Sequence, residues 1–205
     1  EVVNLEATAT EDGFEFGGWE GPVRDASSEK TDVKIETDTT VKAIFVKRAT
    51  SSDTVDSSDG QDNTYFLPPG IDDDDIWRAE SGKYYRGYFR DWIWTHTFSP
   101  PEGSIYSINS AQLKILAFDV DTHEVNYVYG DDVLLGSLDP NDDRWNETTI
   151  DLNAEALEKL TDGTMVIRID ISTEDTERLE DQTHWKMAIK SSALIVDYKV
   201  VTEGN

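Results

Sequence analysis

The sequence predicts an all-β protein: a small β unit, then a linker, then a β-sandwich or jelly roll. Three observations carry that prediction. Side chains of one face recur at alternate positions, as Leu194, Val196, Tyr198 and Val200 do against Ile195, Asp197 and Lys199, which is the period of a strand. Turn residues such as Gly136, Pro140 and Asn141 punctuate the C-terminal part every ~8–12 residues, the spacing of a sandwich. The helical signal is short, with Asn153 as N-cap, Ala154–Leu160 as the helix and Asp162-Gly163 as its stop.

From the N-terminus, Val2–Thr8 is rich in β-formers. Glu11-Asp12-Gly13 is a turn signal ahead of Phe14, Phe16 and Trp19. Val33 and Ile35, then Val41, Ala43 and Phe45, keep the two-residue period on either side of a polar turn at Asp38-Thr39-Thr40. Residues 48–63 are Ser, Asp, Thr and Gly with almost nothing apolar, so burial there cannot offset the entropy of ordering. They are expected to be a Ser/Asp-rich linker between a domain at 1–47 and a sandwich at 64–205. Further strands are expected at Tyr65–Leu67, Tyr85–Phe98, Ser107–Phe118, Val125–Tyr129, Val133–Leu138, Trp145–Leu152, Thr164–Ile171, His184–Ile189 and Ala193–Val200.

Charge narrows the partners. The chain of 205 residues carries 43 acidic against 18 basic side chains, a formal net charge of -25. Such a surface repels phosphate backbones and anionic headgroups, which argues against a nucleic-acid partner or a membrane surface. No apolar run approaches the ~20 residues that membrane insertion requires. The absence of cysteine excludes disulfides, thiolate nucleophiles and Cys-ligated zinc. Asp outnumbers Glu by 26 to 17. That excess has two readings, a solvated surface suited to salty water and clusters that hold a hard cation such as calcium. The first residues lack a basic start and an apolar signal core, so the chain is expected to be part of a longer polypeptide.

The candidate metal ligands are Asp119, Asp121, Glu124 and Asn126, at the end of an expected strand. Alternate residues of an extended strand end point the same way, so Asp119 and Asp121 could share one ion. The spacing is not that of an EF-hand, and the alternative is a solvated acidic loop. Asp73 and Asp75, from the run Asp72–Asp75, could join them if the loops meet; the alternative is an exposed turn. The candidate ligand-binding residues are the aromatics Trp77, Tyr84, Tyr85 and Trp185, whose rings could stack on sugar faces. Trp92 and Trp94 share a strand face and are expected in the core. His96 is expected to be a hydrogen-bonded structural residue. Nucleophile elbows, phosphate loops and His-Glu-x-x-His are absent, and nothing in the sequence singles out a glycosidase pair of carboxylates.

Residues 5–21 and 34–45, LEATATEDGFEFGGWEG and KIETDTTVKAIF, carry a spacing of Gly13, Phe14, Phe16, Gly18, Trp19 and Gly21. In this, residues 1–47 resemble a divergent InlB-type B-repeat of bacterial surface and secreted proteins. The resemblance implies a β-grasp-like repeat, truncated at its N-terminus, with a spacer or adhesion role and no chemistry. More loosely, residues 64–201 resemble the jelly-roll accessory modules of bacterial secreted proteins and glycan-degrading enzymes. The stretches that carry this are WTHTF (94–98), AQLKILAFDVD (111–121), VLLGSL (133–138), WNETTIDL (145–152) and DGTMVIRIDI (162–171). That resemblance implies a non-catalytic sandwich, often calcium-bearing and often sugar-binding.

The expected function is a non-catalytic extracellular or cell-surface module of a larger bacterial protein, with calcium as cofactor and a polysaccharide or surface glycan as partner. The alternative is an adhesion or structural spacer without sugar binding. A glycan-active enzyme ranks third.

Overall fold

The computed structural model describes residues 1–59, 65–71, 84–87, 91–100, 105–122, 125–171 and 186–203. Among these the chain is β apart from one short helix and a 3-10 turn. It divides into two units: residues 1–51, 99–109 and 197–205 form the first, and 52–98 with 110–196 the second.

In the first unit, β1 (Val2–Glu6) pairs antiparallel with β3 (Lys30–Lys34), and β2 (Glu15–Glu20) with the first part of β4 (Lys42–Asp56). The strands are short and amphipathic, with Ala7 and Val33 buried between them and the loops. Phe16 meets Trp19 and Phe45 edge to face, at 5.7 and 6.3 Å between ring centroids. The Trp19 indole N–H donates to the Ser28 carbonyl at 2.8 Å. Gly21 has φ of 116°, and a Cβ there would stand 2.6 Å from the Thr40 carbonyl oxygen, so no other residue fits without a shift.

Most of the sandwich lies in the second unit, with the first part of β4, the start of β7 and the end of β12 belonging to the first. One sheet runs β4-β12-β7-β10, where β7 is Ile105–Phe118, β10 is Trp145–Asp151 and β12 is Lys186–Glu203. The other runs β6-β11-β8-β9, where β6 is Trp92–Thr97, β8 is Asn126–Gly130, β9 is Val133–Ser137 and β11 is Thr164–Ile171. A two-residue strand, β5 (Arg86–Gly87), pairs with β12. Followed along the chain, the eight main strands visit sheets one, two, one, two, two, one, two, one. That order is the double Greek key of a jelly roll.

Alternation explains the core. Trp92, Trp94 and His96 of β6 face inward, as do Met165, Ile167, Ile169 and Ile171 of β11, and all are 2 % exposed or less. Leu113, Ile115, Met187 and Ile189 answer from the opposite sheet. Phe66 fills the gap beside Trp92 and Trp94, with centroids 6.0 and 5.2 Å away. The helix α1 (Ala154–Lys159) begins as expected: the Asn153 side chain accepts from the Ala156 N–H at 3.0 Å. Gly163, at φ 90°, closes the 3-10 turn Leu160–Asp162 that follows it.

The expected linker is corrected by this arrangement. Residues 48–56 continue β4 and supply the first strand of the jelly roll, and the boundary between units falls within it, after Ser51. Alternate residues Ala49, Ser51, Asp53 and Val55 turn to the more buried side. Composition missed this strand because its inner face is small or polar and held by hydrogen bonds. Residues 60–63 lie outside the described residues. The strands expected at His184–Ile189 and Ala193–Val200 are, within the described residues, parts of one strand, β12, and Tyr65–Leu67 is not a strand: Tyr65 is left-handed at φ 46°, and the Leu67 N–H donates to the Ile189 carbonyl of β12.

Candidate functional site

The outward face of the sheet β6-β11-β8-β9 brings together groups from all four strands. Arg168 of β11 stands opposite Ile93 of β6 on one side and Tyr129 of β8 on the other, and Tyr129 stands opposite Leu134 of β9. Ile93, Arg168, Tyr129 and Leu134 therefore make a row that crosses the sheet. At about 4.8 Å between strands the row is ~14 Å long. One step along, Asp170, Tyr127 and Ser137 make a second row. Ile93 and Leu134 are 46 % and 49 % exposed, and both tyrosines are half-buried.

Arg168 is fixed in this surface. Its guanidinium carbon lies 4.2 Å from the centroid of the Tyr129 ring. One of its nitrogens, Nη1, reaches Asp91 Oδ2 at 3.5 Å and Asp170 Oδ2 at 3.3 Å. Burial, then the charge of Asp170, raises the pKa of Asp91, against the pull of Arg168. The arrangement sets two half-buried tyrosines two residues apart on one strand, Tyr129 with Arg168 over its ring and Tyr127 opposite Ser137, beside Asp91 and the buried Asp170. Rings of that kind stack on the apolar faces of sugars, and planar charged groups bind hydroxyls.

Sequence reasoning applied the two-apart argument to Trp92 and Trp94, which are core residues as expected, and passed over Tyr127 and Tyr129. The signal was present in Asn126-Tyr127-Val128-Tyr129-Gly130. What could not be read is that the smaller set, Asn126, Val128 and Gly130, faces inward. A Cβ on Gly130 would lie 2.9 Å from Met165 Sδ, so the inner face there is already full.

The expected residues lie elsewhere. Tyr85 is 7 % exposed, in a cluster with Leu67, Phe118 and Ala188, and Tyr84 packs against the same cluster. Tyr85 is thus a core residue rather than a stacking platform. Its hydroxyl donates to Asp119 Oδ2. Asp119 itself is buried, and its Oδ1 accepts from the Asp143 N–H at 3.2 Å. Its φ of 59° ends the extended course of β7, so the strand-end geometry expected to aim Asp119 and Asp121 together does not hold. Burial raises the Asp119 pKa, the bonds from Tyr85 and Asp143 oppose this, and the charges of Asp121 and Asp143 add to it. Asn126 is buried on the inner face of β8. Among the described residues no group of three or more His, Asp or Glu side chains gathers to hold a metal ion. Glu124, Asp73, Asp75, Trp77 and Trp185 lie outside the described residues.

A second polar constellation sits in the core. His96 Nδ1 is 2.9 Å from Asp53 Oδ2, and His96 Nε2 is 2.8 Å from Ser192 Oγ. The order of groups is that of a serine nucleophile, its base and an orienting acid. Ser192 is only 1 % exposed, and the Trp94 indole N–H donates to the same Nε2 at 3.1 Å. An acyl substrate has no approach to Ser192 Oγ in this conformation. The Trp94 bond makes Nε2 an acceptor, so the proton is on Nδ1 and is donated to Asp53. The trio joins β4, β6 and β12, in agreement with the structural role expected for His96.

No family model matches the chain, and no curated protein sequence is similar to it. Among solved structures it is similar to two crystal structures of BuGH86, the wild type and a variant, each in complex with neoagarooctaose. In both comparisons the TM-score is 0.40 and the identity 7 %, over 96 % of this chain and 30 % of the other. The chain thus spans less than a third of the length of those proteins, and a likeness at that level carries no argument about ligand or activity.

Proposed function

We propose that the chain is a non-catalytic glycan-binding module of a larger bacterial protein, acting outside the cell or at its surface. The observation that carries this is the outward face of β6-β11-β8-β9, where Tyr127 and Tyr129 lie beside Arg168, Asp91 and Asp170. The site differs from the loop aromatics expected from sequence. The resemblance of residues 1–47 to a surface-protein repeat supports the extracellular setting.

Affinity electrophoresis in gels containing soluble polysaccharides, neutral and anionic, tests the reading. Retardation by at least one polysaccharide is expected, lost in Tyr127→Ala/Tyr129→Ala with the melting midpoint within a few degrees of the parent. Unchanged mobility in every gel, or retardation that survives the double substitution, overturns it.

Calcium belongs to the proposal as a structural ion. Asp121 and Asp143 lie close enough to Asp119 to raise its pKa, and a divalent cation nearby would relieve that repulsion. A melting midpoint that rises with calcium and falls with a chelator supports it. An unchanged midpoint removes calcium and leaves the sheet face untouched.

A further inference from the structure

We infer that the free edge of β1 docks an extended polypeptide segment as a further strand, one with apolar side chains at alternate positions and basic ones between them. The inference is independent of the glycan reading. Its basis is the alternation of hydrogen bonds in the β1–β3 pair. At one end the Ile35 N–H donates to the Glu1 carbonyl at 2.8 Å, and just past the other the Ala7 N–H donates to the Glu29 carbonyl at 3.0 Å. Between them Val3 stands opposite Val33 and Leu5 opposite Thr31. Bonded and non-bonded pairs alternate in an antiparallel ladder, so residues 1, 3, 5 and 7 turn their backbone groups to β3, while Val2, Asn4 and Glu6 turn theirs away. The far side of β3 is covered: the Arg24 N–H donates to the Asp32 carbonyl at 2.9 Å, and Val23 bridges Val33. Among the described residues no segment takes the corresponding place beside β1. The backbone N–H and carbonyl groups of Val2, Asn4 and Glu6, all exposed residues, therefore lie along an open edge.

The chemistry of the occupant follows from the two faces and the charge. Val3 and Leu5 are half-buried, on the side of the buried Val33. A strand laid along the edge places alternate side chains beside them, where apolar groups extend their cover. The opposite face carries Val2, 58 % exposed, with Asn4 and Glu6. β1 holds neither proline nor a bulge, two of the devices that blunt edge strands, and its one charged side chain, Glu6, is tied to Lys30 at 2.8 Å. Charge decides between a second copy and a different protein. The chain has a net charge of -25, and residues 1–47 hold eleven acidic against five basic side chains. Two copies repel each other, whereas a segment bearing lysine or arginine is drawn in. In such strand addition the main-chain bonds supply affinity and the alternate side chains supply specificity.

A short capped peptide alternating lysine and valine, titrated into the chain and followed by NMR, tests this. Saturable binding is expected, with exchange protection rising at the Val2, Asn4 and Glu6 amides while Val3 and Leu5, already bonded to β3, keep theirs. Two further peptides are N-methylated, one at its lysines and one at its valines. Only alternate N–H groups of an added strand face β1, so one methylated peptide is expected to lose binding and the other to keep it: the lysine form loses it in antiparallel addition, the valine form in parallel. Asn4→Pro removes an outward N–H and no bond to β3. It is expected to weaken binding about fivefold or more with the melting midpoint little changed. If that variant does not fold, the two methylated peptides still decide. Equal binding of all three peptides means attraction by charge alone and overturns the inference, as does no binding. A chain that dimerises by itself at 500 mM NaCl, and loses the dimer in Asn4→Pro, gives the edge to a second copy and also overturns it.

Discussion

Tyr85 was a candidate for holding a sugar and Asp119 a candidate for holding calcium, yet each is the other's partner. The Tyr85 hydroxyl meets a carboxylate that burial makes hard to ionise. Tyr85→Phe removes that donor and leaves a buried acceptor short of one bond. A loss of ~1–3 kcal/mol in urea unfolding is expected, with the Asp119 pKa moving further up. A loss under about 0.5 kcal/mol would show that the bond contributes little. His96 gives a prediction in pH. Burial lowers its pKa in the folded state, and Asp53 and, at longer range, Asp59 oppose that shift without cancelling it. The folded state therefore binds fewer protons than the unfolded state, whose histidines titrate near 6.5. Stability from this group is complete above about pH 6.5 and is lost as pH falls through the folded pKa. Asp119 and Asp91 act in the opposite sense: their raised values contribute stability at low pH that disappears as pH rises through their folded pKa. Urea midpoints between pH 7.5 and 5.5 are expected to fall in the parent and to flatten or rise in His96→Gln. Parallel slopes in the two would refute the assignment.

Strand β4 shows how an element can escape composition and still be held. Its second half has few apolar residues, yet Asp53 Oδ2 receives the His96 Nδ1 proton and the Thr97 backbone N–H, both at 2.9 Å. Among the described residues β6 lies at the edge of its sheet and β4 is the outermost jelly-roll strand of the other, so this carboxylate caps an edge N–H that no described strand pairs. Asp53→Ala is expected to cost about 3 kcal/mol, since two charge-assisted bonds end and the buried His96 loses its acceptor. Hydrogen exchange read at the Thr97 amide checks the cause: its protection should fall far more than that of Ile167 in the sheet centre. The Asp-rich loops have a related explanation. Asp131 and Asp132, at φ 47° and 65°, form a two-residue hairpin between β8 and β9, with the left-handed backbone that a primed turn requires. Asp142 and Asp143 are also left-handed, and Asp142 takes the Thr122 N–H at 3.0 Å. Asp adopts that conformation more readily than most residues, so part of the acid excess is turn chemistry.

At the scale of the whole molecule the charge of -25 is the dominant fact. Self-repulsion of that size opposes compactness and is screened by salt. Raising KCl from 20 to 500 mM is expected to lift the melting midpoint by several degrees, at ~2–4 °C per kcal/mol for a chain of this length. A midpoint that stays level or falls would mean that local pairing already offsets the repulsion.

The sequence by itself determined the strand period, the positions of β7 to β11, the helix with its Asn153 cap, and the core role of Trp92 and Trp94. Those features are set by neighbours along the chain, where propensity, alternation and turn chemistry act. Only the tertiary structure decided which face of each strand turns inward. Tyr127 and Tyr129 point outward because Met165 already fills the space inside Gly130, and Asp53 is ordered because His96 and Thr97, more than 40 residues away, supply its donors. A period of two leaves both faces of a strand open to burial; packing against the second sheet makes the choice.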